Sequence, residues 1–187
     1  MPQRLIGSLL LFLHTLFLLG YGALLRIECR ILRYVHAMLE WLQIEGLPHE
    51  PLFESLLTLH LQVFTDQSRE EAVADMTYHA QRGPLLTLLA MDSGVVVGYK
   101  MGYERKPAQF YSWLGCVSPD YRGRGIAAEL MTRQHDWCRQ CGYQTIRTQT
   151  MNRWRTMLLL NIRHGFDIIG TLQGHRGLII VLEKRLV

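Results

Sequence analysis

A change of hydrophobic period at residue 125 constrains this 187-residue chain more than any other feature. Upstream, Leu85 to Met91, Val95 to Tyr103 and Phe110 to Val117 are apolar or alternating runs. Asp92-Ser93-Gly94 and Pro107 punctuate them, which is the pattern of consecutive strands joined by tight turns. Downstream, Ile126, Ala127, Leu130, Met131, Trp137, Cys138 and Cys141 recur at helical spacing, and Gly142 is a suitable stop. A strand that turns at once into an amphipathic helix belongs in a layered α/β domain.

The flanking segments extend that reading. Gly46 and Pro48 mark a boundary, which predicts an N-terminal segment over 1–45 and one domain over 46–187. The spacing predicts a helix over 51–64, with Leu52, Leu56, Leu59 and Val63 facing inward. Ser68-Arg-Glu-Glu71 has the spacing of a capping box opening a second helix toward Gln81. Beyond Gly142, a strand over 143–150, a helix over 154–164 and strands over 166–172 and 178–182 follow. The order β-β-β-α-β-α-β-β predicts an α/β fold with a mixed sheet and helices on its faces.

Leu5 to Leu25 contains no charged side chain and as a helix would span about 32 Å, enough to cross a bilayer core. Arg26, Arg30 and Arg33 follow it, which on the positive-inside rule leaves the C-terminal part in the cytoplasm, tethered to the inner membrane face. The same stretch is compatible with a buried or partner-bound helix, or with an upstream extension before a working start at Met38. Ile31, Leu32, Val35, Met38, Leu39 and Leu42 share a helical face and predict that the helix continues into the domain.

A net charge of +4 is mildly basic, but Lys and Arg are scattered singly, which argues against a nucleic-acid partner. Of the four cysteines, Cys138 and Cys141 form a C-x-x-C at the end of a helical run. Only His135 adjoins them, so no metal site is expected.

The turn SPDYRGRGIA carries its own chemistry. The first amides of a helix lack intrahelical acceptors and lie at the positive end of its dipole, so they bind anions. Gly123 and Gly125 accept positive φ and bare the backbone, while Arg122 and Arg124 add charge suited to phosphate oxygens. The spacing predicts a phosphate cradle. It is not a P-loop, since no Lys-Ser/Thr follows, nor G-x-G-x-x-G, since Ala128 stands three residues after Gly125.

Arg122-Gly-Arg-Gly125-Ile-Ala127 resembles the Q/R-x-x-G-x-G/A signature of the GNAT superfamily of acyl-CoA-dependent N-acyltransferases. Leu114-Gly-Cys-Val117-Ser-Pro119 resembles that family's fourth strand. Asn161-Ile-Arg-His-Gly165-Phe166 resembles its later helix-to-strand junction, which commonly reads Y-x-x-x-G-F. The resemblance covers about residues 48–187 and implies a mixed, mostly antiparallel sheet. It implies acetyl-CoA as co-substrate, its pyrophosphate held at Arg122, Gly123, Arg124, Gly125, Ile126 and Ala127. The pantetheine arm would pair with the strand around Cys116 and Val117, whose amides polarise the thioester. An unidentified amine then attacks directly in a ternary complex.

The remaining chemistry rests on side chains. Glu104, the only carboxylate between Asp92 and Asp120, is the candidate general base, or else a solvated turn residue beside Arg105 and Lys106. Asn161 occupies the position where the family often places a tyrosine that protonates the leaving thiolate. An amide cannot donate that proton, although it can hydrogen-bond sulfur or water. Asn152 lies two residues before the family's usual asparagine, with Trp154 at that spacing. Cys116 reads as a small strand residue rather than a nucleophile. Tyr103, Tyr111 and Trp113 serve an acceptor pocket or the core. The Tyr-to-Asn departure also leaves open a silent acyl-CoA-binding module or membrane-attached sensor.

Overall fold

The computed structural model describes residues 39–175 and 177–186. The chain runs β1 (Glu40–Glu45), α1 (Leu52–Val63), α2 (Arg69–Arg82), β2 (Leu85–Asp92), β3 (Val95–Lys106), β4 (Gln109–Val117), α3 (Ile126–Gln140), β5 (Thr145–Met151), α4 (Arg155–Arg163), β6 (Asp167–Gly174) and β7 (Gly177–Arg185). The seven strands form one sheet in the order β1-β2-β3-β4-β5-β7-β6. Every neighbouring pair is antiparallel except β4 and β5. This is the mixed α/β sheet that the element order predicted, with the mostly antiparallel pairing that the resemblance implied.

The expected strands and helices are present to within a few residues, and the capping box forms. The Ser68 hydroxyl accepts from Glu71 N at 3.1 Å, and the Glu71 carboxylate accepts from Ser68 N at 2.9 Å. The helical periodicity over 31–42, however, does not carry through its last residues. Glu40 to Glu45 pair residue by residue with Met91 to Leu86 as the edge strand β1. Leu39 and Leu42 fit a helical spacing, but the open edge of β2 offers six residues of ladder hydrogen bonding, and tertiary pairing wins. The sheet therefore begins at Glu40, ahead of the boundary expected at residue 46. Residues 5–25, read as a membrane span, lie outside the described residues. Among the described residues no helix is long and apolar enough to cross a membrane.

The central strands are covered on both faces, which explains why β2 is buried nearly end to end without alternating. Tyr99, Met101 and Cys116 pack with Leu56, Leu57 and Leu59 of α1 and Ala72 and Met76 of α2. On the opposite face Gly98 lies under Ile126 and Leu130 of α3. Odd positions along the middle of β3 thus face α1 and α2, and even positions face α3, as the strand period requires.

Candidate active site

The parallel pair β4 and β5 is joined over only three residues, Gln109–Tyr111 against Thr145–Arg147. Thr148 Oγ1 then donates to Ser112 O at 2.8 Å and closes the fork. Past it the strands part around a cleft of about 700 Å³, with Trp113 to Val117 along one wall and Thr148 to Met151 along the other. Beyond Tyr111 the edge of β4 facing this gap has no strand partner, which leaves room for an extended ligand to pair with it.

The cleft is lined from both faces of the sheet. From the α3 side come Arg122, Ala127, Leu130 and Met131, with Asn161 of α4. Gly123 and Gly125 both adopt positive φ, +75° and +80°, so a side chain at either would be strained. Gly125 is the N-cap of α3 and no side chain caps the helix. The first bond of its opening turn runs from Glu129 N to Gly125 O at 3.0 Å. The amides before Glu129 are left to an external acceptor. Arg122 Nε donates to Val117 O at 3.2 Å, which holds the guanidinium at the mouth of the cleft. Arg124 stacks 4.7 Å over the Tyr121 ring and donates to Asp120 O at 3.0 Å. Tyr121 in turn donates to Asp92 Oδ2 at 2.7 Å, tying the turn to the β2–β3 hairpin. Free amides at a helix start beside two guanidiniums have the chemistry to receive an anion.

From the α1 and α2 side come His60, Phe64, Gln67, Asp75 and Tyr99. A chain of hydrogen bonds links four of them. Gln67 Nε2 donates to Asp75 Oδ2 at 3.1 Å, and because a carboxylate only accepts, this fixes the orientation of the amide. Gln67 Oε1 then faces His60 Nε2 at 2.8 Å, so that nitrogen carries the proton. His60 Nδ1 is left with its lone pair, and the Tyr99 hydroxyl donates to it at 2.6 Å. Burial pushes the His60 imidazole below its ordinary value, partly offset by the Gln67 bond, so it is neutral at pH 7. The Cys116 thiol touches the same hydroxyl, and burial pushes it up to about 12. It stays protonated and is no nucleophile.

The sequence candidates divide accordingly. Arg122, Ala127, Cys116, Val117 and Asn161 meet in the cleft. Gly123, Arg124 and Gly125 form the adjoining turn. Ile126 contributes only its amide there, because its side chain is buried against Gly98. Asn152 sits exposed in the 3-10 turn Asn152–Trp154, outside the cleft lining, whereas its neighbours Met151, Arg153 and Trp154 line it. Glu104 is not brought to the cleft: it is exposed far along β3, beside the Tyr143 hydroxyl, which burial and this carboxylate push up. Its even position places it on the α3 face, past the fork.

Sequence reasoning missed His60, Tyr99 and Lys100. Two signals were available: His60 interrupts the inner face formed by Leu52, Leu56, Leu59 and Val63, and Lys100 is the lone charge within Val95 to Tyr103. Cys138 is buried and Cys141 exposed, and among the described residues no cluster of His, Cys, Asp or Glu is arranged to hold a metal.

Comparison with known proteins places this geometry. The model of the acetyltransferase (GNAT) family matches residues 50–156. N-alpha-acetyltransferase MAK3 of Arabidopsis thaliana is 32% identical over 133 residues, 68% of this chain and 66% of that protein, just under two thirds of its length. An N-acetyltransferase from Staphylococcus aureus Mu50 superposes with a TM-score of 0.62 at 17% identity, covering 78% of this chain and 99% of the other. An aminoglycoside 6'-N-acetyltransferase complexed with coenzyme A gives 0.66 at 14% identity, covering 78% and 97%. At such identities the structures speak for the fold, whereas the family model spans more than half of the chain. This protein therefore belongs to the acetyltransferase (GNAT) family.

Proposed function

We propose that the protein transfers an acetyl group from acetyl-CoA to a primary amine by direct attack in a ternary complex. The observation that carries this reading is the cleft between β4 and β5, which is lined from both faces of the sheet. A diphosphate fits the uncapped start of α3 with Arg122 and Arg124. The pantetheine arm runs along the free edge of β4, and the amides near Cys116 and Val117 polarise the thioester carbonyl as charge develops on its oxygen. The amine enters from the α1 and α2 side.

The acceptor arrives as an ammonium ion and must lose a proton before it attacks. Tyr99 oxygen takes that proton while its own passes to His60 Nδ1. The imidazolium so formed is held through Gln67 by Asp75. The 32% identity to a protein named as an N-alpha-acetyltransferase favours the α-amine of a polypeptide over other amines. The test is release of free thiol from acetyl-CoA by the full-length protein with three acceptors: a peptide bearing a free α-amine, an aliphatic polyamine and an aminoglycoside. Turnover with the peptide and not with its Nα-blocked form is expected. Turnover confined to the aminoglycoside would overturn the acceptor class, and none with any amine would overturn the reading.

A further inference from the structure

Lys100 sits on the α3 face of β3, directly opposite Gly115 of β4 in the ladder. A Cβ built on Gly115 would lie 3.4 Å from Lys100 Cγ. The glycine leaves room for the lysine stem to lie across β4, and the side chain lines the cleft although the residue is only 8% exposed. Among the described residues its amine has no hydrogen bond and no carboxylate partner, which is unusual for so buried a cation. The titratable groups that act on it or feel it are Cys138 and His135 of α3, His164 after α4 and, through His135, Lys184 of β7. None of these is an anion at neutral pH. Asn161 shares the cleft, 2% exposed, and its side chain also has no hydrogen bond among the described residues.

We propose that Lys100 is the catalytic proton donor to the sulfur leaving group, taking the place of the phenol that position 161 lacks. This rests on the acetyl-CoA reading above. The acceptor nitrogen forms its bond to the carbonyl carbon, the C–S bond breaks and its electron pair goes to sulfur. Lys100 Nζ gives sulfur a proton and regains one from solvent; once His60 has released the ammonium's proton to solvent, Tyr99 and His60 take the second proton that the acceptor nitrogen loses as the amide forms. The products are an amide and a free thiol. An unpaired ammonium that is only 8% exposed attracts the developing thiolate. Burial also lowers the amine to about 8, close to the ordinary range of a thiol, where proton transfer between the two is nearly balanced.

The test follows the ultraviolet thiolate band of coenzyme A bound to full-length protein across pH. With Lys100 present, the bound thiol should titrate below free coenzyme A. In Lys100→Met it should return to or above the free value, with coenzyme A affinity at low pH nearly unchanged. In Lys100→Arg, which keeps the charge but cannot give up a proton, the thiol shift should persist while kcat stays low. Loss of kcat by about 100-fold in Lys100→Met is expected, together with loss of a decline in rate that is expected of wild type above about pH 8. Coenzyme A that binds but titrates identically in wild type and Lys100→Met would overturn the proposal. An acetyl group found on Lys100 itself would overturn it too, since the amine would then be a nucleophile. Coenzyme A that binds neither protein would instead overturn the acetyl-CoA reading.

Discussion

The two sides of the cleft are built in opposite ways. On the α3 side the anion site is mostly backbone: two glycines at positive φ, an uncapped helix start and the edge of β4 beyond Tyr111, flanked by Arg122 and Arg124, with Lys100 reaching the cleft from the same face. On the α1 and α2 side it is done by buried side chains drawn from distant segments, with His60 and Tyr99 separated by 39 residues. Backbone amides suit a ligand part that never changes, such as a diphosphate. Side chains suit the part that differs from one acyltransferase to another. The contrast implies that the two sides fail independently: damage to the turn should cost donor affinity, and damage to the relay should cost rate.

The largest effect is expected from Arg122→Glu combined with Gly125→Val. Loss of one charge-assisted contact, its reversal to repulsion and a strained helix start should lower acetyl-CoA affinity by at least about 100-fold. Calorimetry on the full-length protein checks this, and unchanged affinity would move the anion site elsewhere. Tyr99→Phe, which removes a single oxygen, should cut kcat by about 100-fold and change acetyl-CoA affinity by less than about twofold. An equal loss of both would mean that the two sides are one mechanical unit.

A third effect concerns the body of α3. Burial, together with the nearby Lys184 and Lys100, pushes His135 down to about 3. Between pH 6.5 and 3 the unfolded chain binds a proton there that the folded chain does not. Stability should therefore fall as pH falls, by up to about 1.4 kcal/mol per pH unit for this group. His60, also lowered by burial, acts in the same direction on the other side of the cleft. Urea unfolding at several acidic pH values measures the slope, and His135→Gln should flatten it. The smallest effect belongs to Ser68→Ala, which removes half of the capping box at α2. It should cost about 1 kcal/mol of stability and leave acetyl-CoA affinity alone, as a thermal melt with and without ligand would show.

The same contrast explains what could be read from the sequence. A helix start that binds an anion needs its glycines and arginines adjacent in the chain, so Arg122 to Ala127 form a contiguous motif. The strands and helices beyond Gly46 declared themselves by period for the same local reason. The relay did not, because hydrogen bonds between His60, Gln67, Asp75 and Tyr99 exist only once α1, α2 and β3 have packed. Glu104 follows the predicted end of its strand at Tyr103, yet β3 runs on to Lys106 and carries that carboxylate past the fork. β1 was hidden by a short stretch whose apolar residues satisfy a helical spacing, although a sheet edge had to be paired.

The central claim is direct transfer between two ligands that occupy the cleft together. Initial rates of thiol release, measured with the full-length protein while acetyl-CoA and the accepted amine are both varied, test it most directly. Intersecting double-reciprocal lines are predicted, since both substrates must be bound before chemistry and the Cys116 thiol, at about 12, is in no state to hold an acyl group. Parallel lines, with an acetylated protein trapped in the absence of amine, would contradict the account.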